Sequence, residues 1–556
     1  MYGFRTKSQE ACVRSSTSKQ KVDVMAKITL INPRFETSFW SMNHSLSIFG
    51  REAMTPTSAL TLLAALTPDH YDIELIDEAV ESIDYNKVMS ADIVGLTGMI
   101  VQKERMLEIA KEVKRLGKYL VIGGPWVTVQ EDYFEGIADV IFVGEADVTW
   151  PMFLKDWEEN IIKKRYEQSD RTDMTTLPLP RNDLLKLDRY LQGSVQMSRG
   201  CPYLCEFCDI IVTFGRKPRV KTADQVIEEL EAWRLAGMGA VFLVDDNIIG
   251  NRKALVPILE RIAEWQKQHR YIVSLHTEAS LNLADDDALL DLFVAANIRT
   301  VFVGIETPSP QALIETKKFQ NVDSRSQRAE LSQLEAEEFL LSRIYKIQNK
   351  GIKVTCGLIV GFDSDTSEIF DIQRRFLKKS GILHAMLGQL SAIPKTPLHA
   401  RLKEAGRLDE SEANPYGTNV IPLHMKREEL THGYLDLLKE LFEPEAYFER
   451  LDDLYISRRF YDFAESVRVP NIPKWLQIKY LIISLGYTTY LFVKLMMNTG
   501  SWRLRVFYTQ RLFNYLLHRP YPMRVLDYVM ESVCHHHFYT FSQNMSKGKT
   551  SVINTY

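Results

Sequence analysis

Short apolar runs alternate with amphipathic stretches over the first third of the chain. Runs at 28–31, 73–76, 93–96, 119–122 and 140–143 are separated by segments of helical periodicity. A strand buried on both faces reads as a continuous apolar run, and alternation with helices marks parallel crossovers. Residues 25–165 are therefore predicted to form a doubly wound α/β domain, a fold that binds ligands at the carboxyl ends of its strands. A polar stretch with Pro178 and Pro180 follows and reads as a linker over 166–190. The alternation then restarts. Strands are predicted at 195–198, 241–244, 271–275, 300–303, 354–360 and 385–390, with helices among them at 223–235, 254–267 and 335–350. Six such units over 191–410 predict a partial barrel, with its chemistry on the loops that leave the strands. From 411 to 556 the strand signal fades into helices rich in Tyr, Phe, Leu and Trp. The first 24 residues are polar and aperiodic. They read as a disordered leader with Met25 as a second candidate start, or alternatively as a transit peptide.

Composition narrows the classes. With 556 residues, 25% charged and a net charge of −4, the chain is multi-domain and carries no basic footprint for nucleic acid. Six cysteines make no disulfide framework, and with no signal peptide they fit a cytoplasmic setting. The longest apolar stretch, 480–493, has fourteen residues between Lys479 and Lys494. A spanning helix needs about 20, so it reads as a buried or interfacial helix with at most peripheral membrane contact.

Half of the cysteines lie in one short loop: Cys201, Cys205 and Cys208. Structural zinc takes four protein ligands, and no fourth Cys or His is near. Three thiolates instead suit a four-iron cluster with one iron left open. Other candidates read as structural: Cys356, His276 and His384 as core, Cys534-His535-His536-His537 as a surface or helix-end cluster, and the charged run 328–338 as a solvated helix start. Cys12 falls in the leader.

The spacing Cys201-x3-Cys205-x2-Cys208, with Phe207 before the last thiol, resembles the radical S-adenosylmethionine (SAM) superfamily. The resemblance implies that the open iron chelates the amino and carboxylate groups of SAM. Phe207, Asp245, Asp246 and Asn247, Glu278 and Glu306 stand at matching places and are expected SAM contacts. The family commonly has a glycine- and glutamate-containing motif where this chain has Asp245-Asp246-Asn247, and acids at such places also cap helices. The amino-terminal domain resembles the cobalamin-binding domain of the B12-dependent class. Thr97, Gly123, Gly124, Pro125, Gly144 and Glu145 are its expected corrin and tail contacts. Arg34 stands where many such domains place a cobalt-ligating His. That implies base-off cobalamin without an axial histidine, since His44 is off register. Segments 207–211, 214–218, 244–247, 361–365 and 417–422 look like a subgroup with an extra helical domain, which includes hopanoid C-2 methylases and bacteriochlorophyllide methyltransferases.

The fold expected is thus α/β: a Rossmann-like cobalamin-binding domain, a partial (β/α)6 radical SAM barrel and an α-helical carboxy-terminal domain. The resemblance implies a radical C-methyltransferase that uses a [4Fe-4S] cluster, SAM and methylcobalamin, with a flavodoxin or ferredoxin-type reductant and no side-chain nucleophile. The aromatic final domain suits a large hydrophobic substrate, a tetrapyrrole or a polycyclic lipid. A bacteriochlorophyllide side chain is the substrate expected. A hopanoid C-2 methylase, a tetrapyrrole oxidative cyclase and a non-catalytic cobalamin sensor are the alternatives.

Overall fold

The computed structural model describes residues 26–323, 332–411, 416–458, 460–519 and 522–550. The leader, with Cys12, lies outside them.

The first apolar runs form strands β1 (Lys27–Asn32), β2 (Asp72–Asp77), β3 (Ile93–Thr97), β4 (Tyr119–Gly123) and β5 (Val140–Val143). They lie in one parallel sheet of order 2-1-3-4-5-6, whose last member is β6 (Arg165–Glu167). The sheet thus continues past the predicted start of the linker. β6 escaped sequence reading because only Tyr166, its middle residue, is buried. The linker is also less polar in its packing than in its composition: Met174, Leu177 and Tyr190 are all buried.

The second sheet, also parallel throughout, runs from strand 385–389 through 353–360, 298–306, 274–279 and 240–243 to 193–195. Its strands are β7 (Gly193–Val195), β10 (Ala240–Leu243), β11 (Ser274–Ala279), β12 (Ile298–Glu306), β13 (Lys353–Val360) and β14 (Ala385–Gln389). Six strands in sequential order, with β7 and β14 at the two edges, make an open partial barrel. A short antiparallel pair, β8 (Ser198–Arg199) and β9 (Arg219–Val220), brackets the cysteine loop. Two boundaries differ from expectation. The strand predicted at 195–198 ends at Val195, and Ser198 turns to pair with Val220. The one predicted at 271–275 begins at Ser274, because Arg270 and Tyr271 adopt φ of 58° and 56°. Left-handed backbone cannot continue a strand.

The helical region leans on the barrel. Four helices matter below: α1 (Asn43–Phe49), α2 (Lys474–Asn498), α3 (Trp502–His518) and α4 (Pro522–Ser546). α4 packs against α1, α2 and α3. The Cys534–His537 cluster sits mid-helix on α4, in the core and not on the surface. His535 lies between Tyr508 and the Phe442 carbonyl, and His537 donates to the Ser38 carbonyl at 3.0 Å. Glu337, expected on a solvated helix start, is buried beneath Arg375 and Lys379. Residues 328–331 of that run lie outside the described residues.

Candidate active site

Cys201, Cys205 and Cys208 all face one cleft of about 230 Å³. The loop between β8 and β9 presents them, and the residues ending β10 grip it. The Ser198 amide donates to Asp245, the Gly200 amide donates to Asp246 at 2.6 Å, and Asn247 Nδ2 lies 3.8 Å from Cys201 Sγ. Asp245 was an expected SAM contact. Its carboxylate instead lies under the Ser198 amide, buried and off the cleft lining. Burial pushes the Asp245 carboxyl up to about 7 and that of Asp246 up to about 6. Phe207, Asp246, Asn247, Glu278 and Glu306 do line the cleft.

Two residues here, Lys318 and Gln320, carry no sequence signal. Lys318 is buried, 2.7 Å from Glu306 Oε1. Burial alone would lower its ammonium, but Glu306 and the thiols of Cys205 and Cys208 outweigh it and hold Lys318 above the usual range. Gln320 Nε2 donates to Cys205 Sγ at 3.6 Å. Gly304 leaves the room for this group, since a Cβ there would collide with Glu306 Oε1 and Lys318 Nζ. Glu306 itself has φ of 66° beside a register shift between β12 and β13. A non-glycine residue held in that region marks a constrained site. Glu278 projects from β11 into the cleft, and burial, with Asp246 and Asp245 adding, pushes its carboxyl to about 8.

The donor set fits an iron–sulfur cluster. Three thiols converge with N–H donors on two of the sulfurs and a buried cation behind them, which suits a thiolate-ligated centre of negative charge. Without metal, burial raises the Cys201 and Cys208 thiols. Among the described residues, His384, Glu531 and Cys534 are a group with ligand atoms within 4.8 Å. The Lys353 ammonium already holds that Glu531 carboxylate at 2.7 Å.

The carboxyl edge of the first sheet faces the same region. Gly124 takes φ of 103°, and a Cβ there would collide with Thr97 Oγ1. Gly144, at φ 82°, follows β5. Its amide donates to Thr128 Oγ1 at 3.1 Å, and the Gly124 carbonyl accepts from the same hydroxyl at 3.0 Å. After Gly124, Pro125 opens the short helix Pro125–Val129. Arg34 is exposed, its amide donating to Glu78 at 3.1 Å. His44 lies on α1, its amide donating to His537. Glu145 departs from expectation. Its buried carboxylate binds Arg199 and Arg219 and so joins the two domains rather than facing a ligand. The loops after β1 and β3 expose Phe35, Trp40 and Met99, an apolar rim that fits a flat macrocycle. Trp40 meets Phe302 of β12 edge-on at 5.0 Å, and Phe302 lines the cysteine cleft.

Residues 195–375 match the Radical SAM superfamily, and 396–551 match a domain of unknown function, DUF4070. An uncharacterized methyltransferase of Synechocystis is 37% identical over 76% of this chain and 77% of its own. The hopanoid C-2 methylase of Rhodopseudomonas palustris is 34% identical over 77% of this chain and 79% of its own. The chain belongs to the radical SAM methyltransferases. A more distant relative of this methyltransferase is the bacteriochlorophyllide d C-8(2)-methyltransferase of Chlorobaculum tepidum, 26% identical over 74% of this chain and 90% of its own. The cobalamin-dependent radical SAM enzyme OxsB, solved with aqua-cobalamin and SAM, shares the fold. It superposes with a TM-score of 0.57 at 15% identity, over 94% of this chain and 84% of that one.

Proposed function

We propose that this radical SAM methyltransferase uses cobalamin to methylate an unactivated carbon of a large, apolar, ring-containing molecule. One observation carries the reading. The cleft that holds the three cysteines is walled by residues that also touch the first domain. Ile393 lines the cleft and packs in the cluster of Ile31 and Trp126, and Phe302 meets Trp40. A substrate in this cleft therefore lies between the cysteine loop and the glycine-lined sheet edge.

Bound at these two places, the cluster and SAM supply a carbon-centred radical on the substrate, and cobalamin supplies the methyl group. Cys201, Cys205 and Cys208 would hold the cluster. Asn247, Gln320 and Lys318 stabilise the negative charge on the sulfurs through hydrogen bonds and proximity. Glu278 presents a carboxyl that an incoming ammonium group returns to its ionised form. Trp40 and Phe302 offer an apolar wall that orients a ring system and excludes water. None of these side chains acts as a nucleophile.

On the substrate, the hopanoid relative at 34% identity supports a polycyclic lipid ahead of the bacteriochlorophyllide side chain, whose relative stands at 26%. Incubation of the reconstituted, reduced enzyme with SAM and either a hopanoid or bacteriochlorophyllide d tests this. Methylated hopanoid together with S-adenosylhomocysteine and 5′-deoxyadenosine is the result expected. 5′-Deoxyadenosine with no methylated product from either molecule would reject the reading.

A further inference from the structure

The outward face of α2 has inverted polarity. α2 extends the apolar run 480–493 to a helix of 25 residues, long and apolar enough by length and composition to cross a membrane. Yet it packs against α4 and α1, burying Leu476, Thr488, Leu491 and Leu495 on one side. The opposite side carries Trp475, Ile478, Ile482, Val493 and Met497, all exposed, with Ile482 at 65%. Their helical spacing puts them in a single stripe. α3 continues the pattern with Trp502, Phe513 and Leu517 exposed. A helix apolar on both sides is stable only when both sides are covered, and an exposed patch of this size marks a docking surface.

Charge says what covers it. Between Glu465 and Asp527 the sequence holds nine Lys or Arg and no acidic residue, in a chain of net charge −4. Lys474, Lys479 and Arg503 are exposed, and with Lys494 they have no carboxylate partner among the described residues. A second copy of this surface would bring cation against cation. An anionic lipid surface supplies both an apolar layer and the counter-charge, and Lys side chains can lay their stems along the boundary.

We infer that α2 and α3 seat the enzyme on the surface of an anionic bilayer, lying in the headgroup–acyl boundary and not spanning it. The inference does not depend on which substrate is methylated. Vesicle flotation with the full-length protein tests it, using phosphatidylcholine alone and phosphatidylcholine with an equal share of phosphatidylglycerol. The protein floats with the anionic vesicles, less so as salt rises. Ile478→Ser with Ile482→Ser weakens binding at least about tenfold. Lys479→Gln and Lys494→Gln each weaken it about fivefold. Ile478, Ile482 and Lys479 are exposed and Lys494 is half-buried, and an unchanged melting temperature confirms that the variants fold. Failure to float with anionic vesicles, or flotation indifferent to these substitutions, overturns the inference. So does a dimer in sedimentation that Ile482→Glu converts to monomer, which would assign the face to a second copy.

Discussion

The Asp246 carboxylate accepts a 2.6 Å hydrogen bond from the amide of Gly200, the residue just before Cys201. With Asp245 on the Ser198 amide and Asn247 on the Cys201 sulfur, three consecutive residues of one barrel loop fix the entry to the cysteine loop. A hydrogen bond to a charged acceptor is worth about 1.5–3 kcal/mol. Asp246→Ala is expected to weaken cluster binding about tenfold or more, read as iron and sulfide per chain after reconstitution. Asp246→Asn, which keeps an acceptor, retains most of the cluster.

Lys318 and Glu306 form a buried pair, and removing one partner strands the other. Lys318→Met should cost about 3–5 kcal/mol in denaturant unfolding. Adding Glu306→Leu should recover much of that stability. Lys318→Met alone should lower the reduction potential of the bound cluster, because the cation behind the sulfurs is gone. A Lys318→Met protein with the parental potential would show that Lys318 serves packing alone.

Glu278 ties stability to pH. Its folded pKa, raised to about 8 from 4.5, means that the folded state keeps a proton the unfolded chain has lost. Stability contributed at low pH is therefore lost as pH rises through that window, and the loss levels off above about 8. Glu278→Gln should stabilise the cofactor-free protein by about 1–2 kcal/mol at alkaline pH and leave it unchanged near pH 4. The same substitution should weaken SAM binding, measured by calorimetry. Equal pH profiles for the two proteins would show that Glu278 titrates normally.

The expected cobalt-ligand position after β1 is held by Arg34 and not by a histidine, and Arg34 is exposed and ion-paired to Glu78 at 3.7 Å. Cobalamin bound at this edge in the cobalt(II) state should show no nitrogen superhyperfine splitting from a protein ligand in its electron paramagnetic resonance spectrum. The parental protein and a His44→Ala variant should give the same spectrum.

Much of this fold is legible in the sequence because parallel strands covered on both faces are written as unbroken apolar runs. β4 and β5 lie where those runs stand. The start of β11 was not legible, since nothing in the identities of Arg270 and Tyr271 announces left-handed backbone. The cysteines declared themselves by spacing. Lys318 and Gln320 did not, because their partners are strand-end and loop residues brought together only by the barrel. Glu145 misled for the converse reason. A glutamate after a Gly turn looks like a ligand contact until Arg199 and Arg219, 54 and 74 positions away, close on it.

Those two arginines face each other as register partners across β8 and β9. Like charges set opposite one another push a two-stranded ladder apart. Here Glu145 of the other domain holds both guanidinium groups, and Asp147 joins it on Arg199. The neck of the cysteine loop is therefore electrostatically whole only once the amino-terminal sheet has docked. The shape of the cysteine loop thus rests on a contact that the loop itself does not contain.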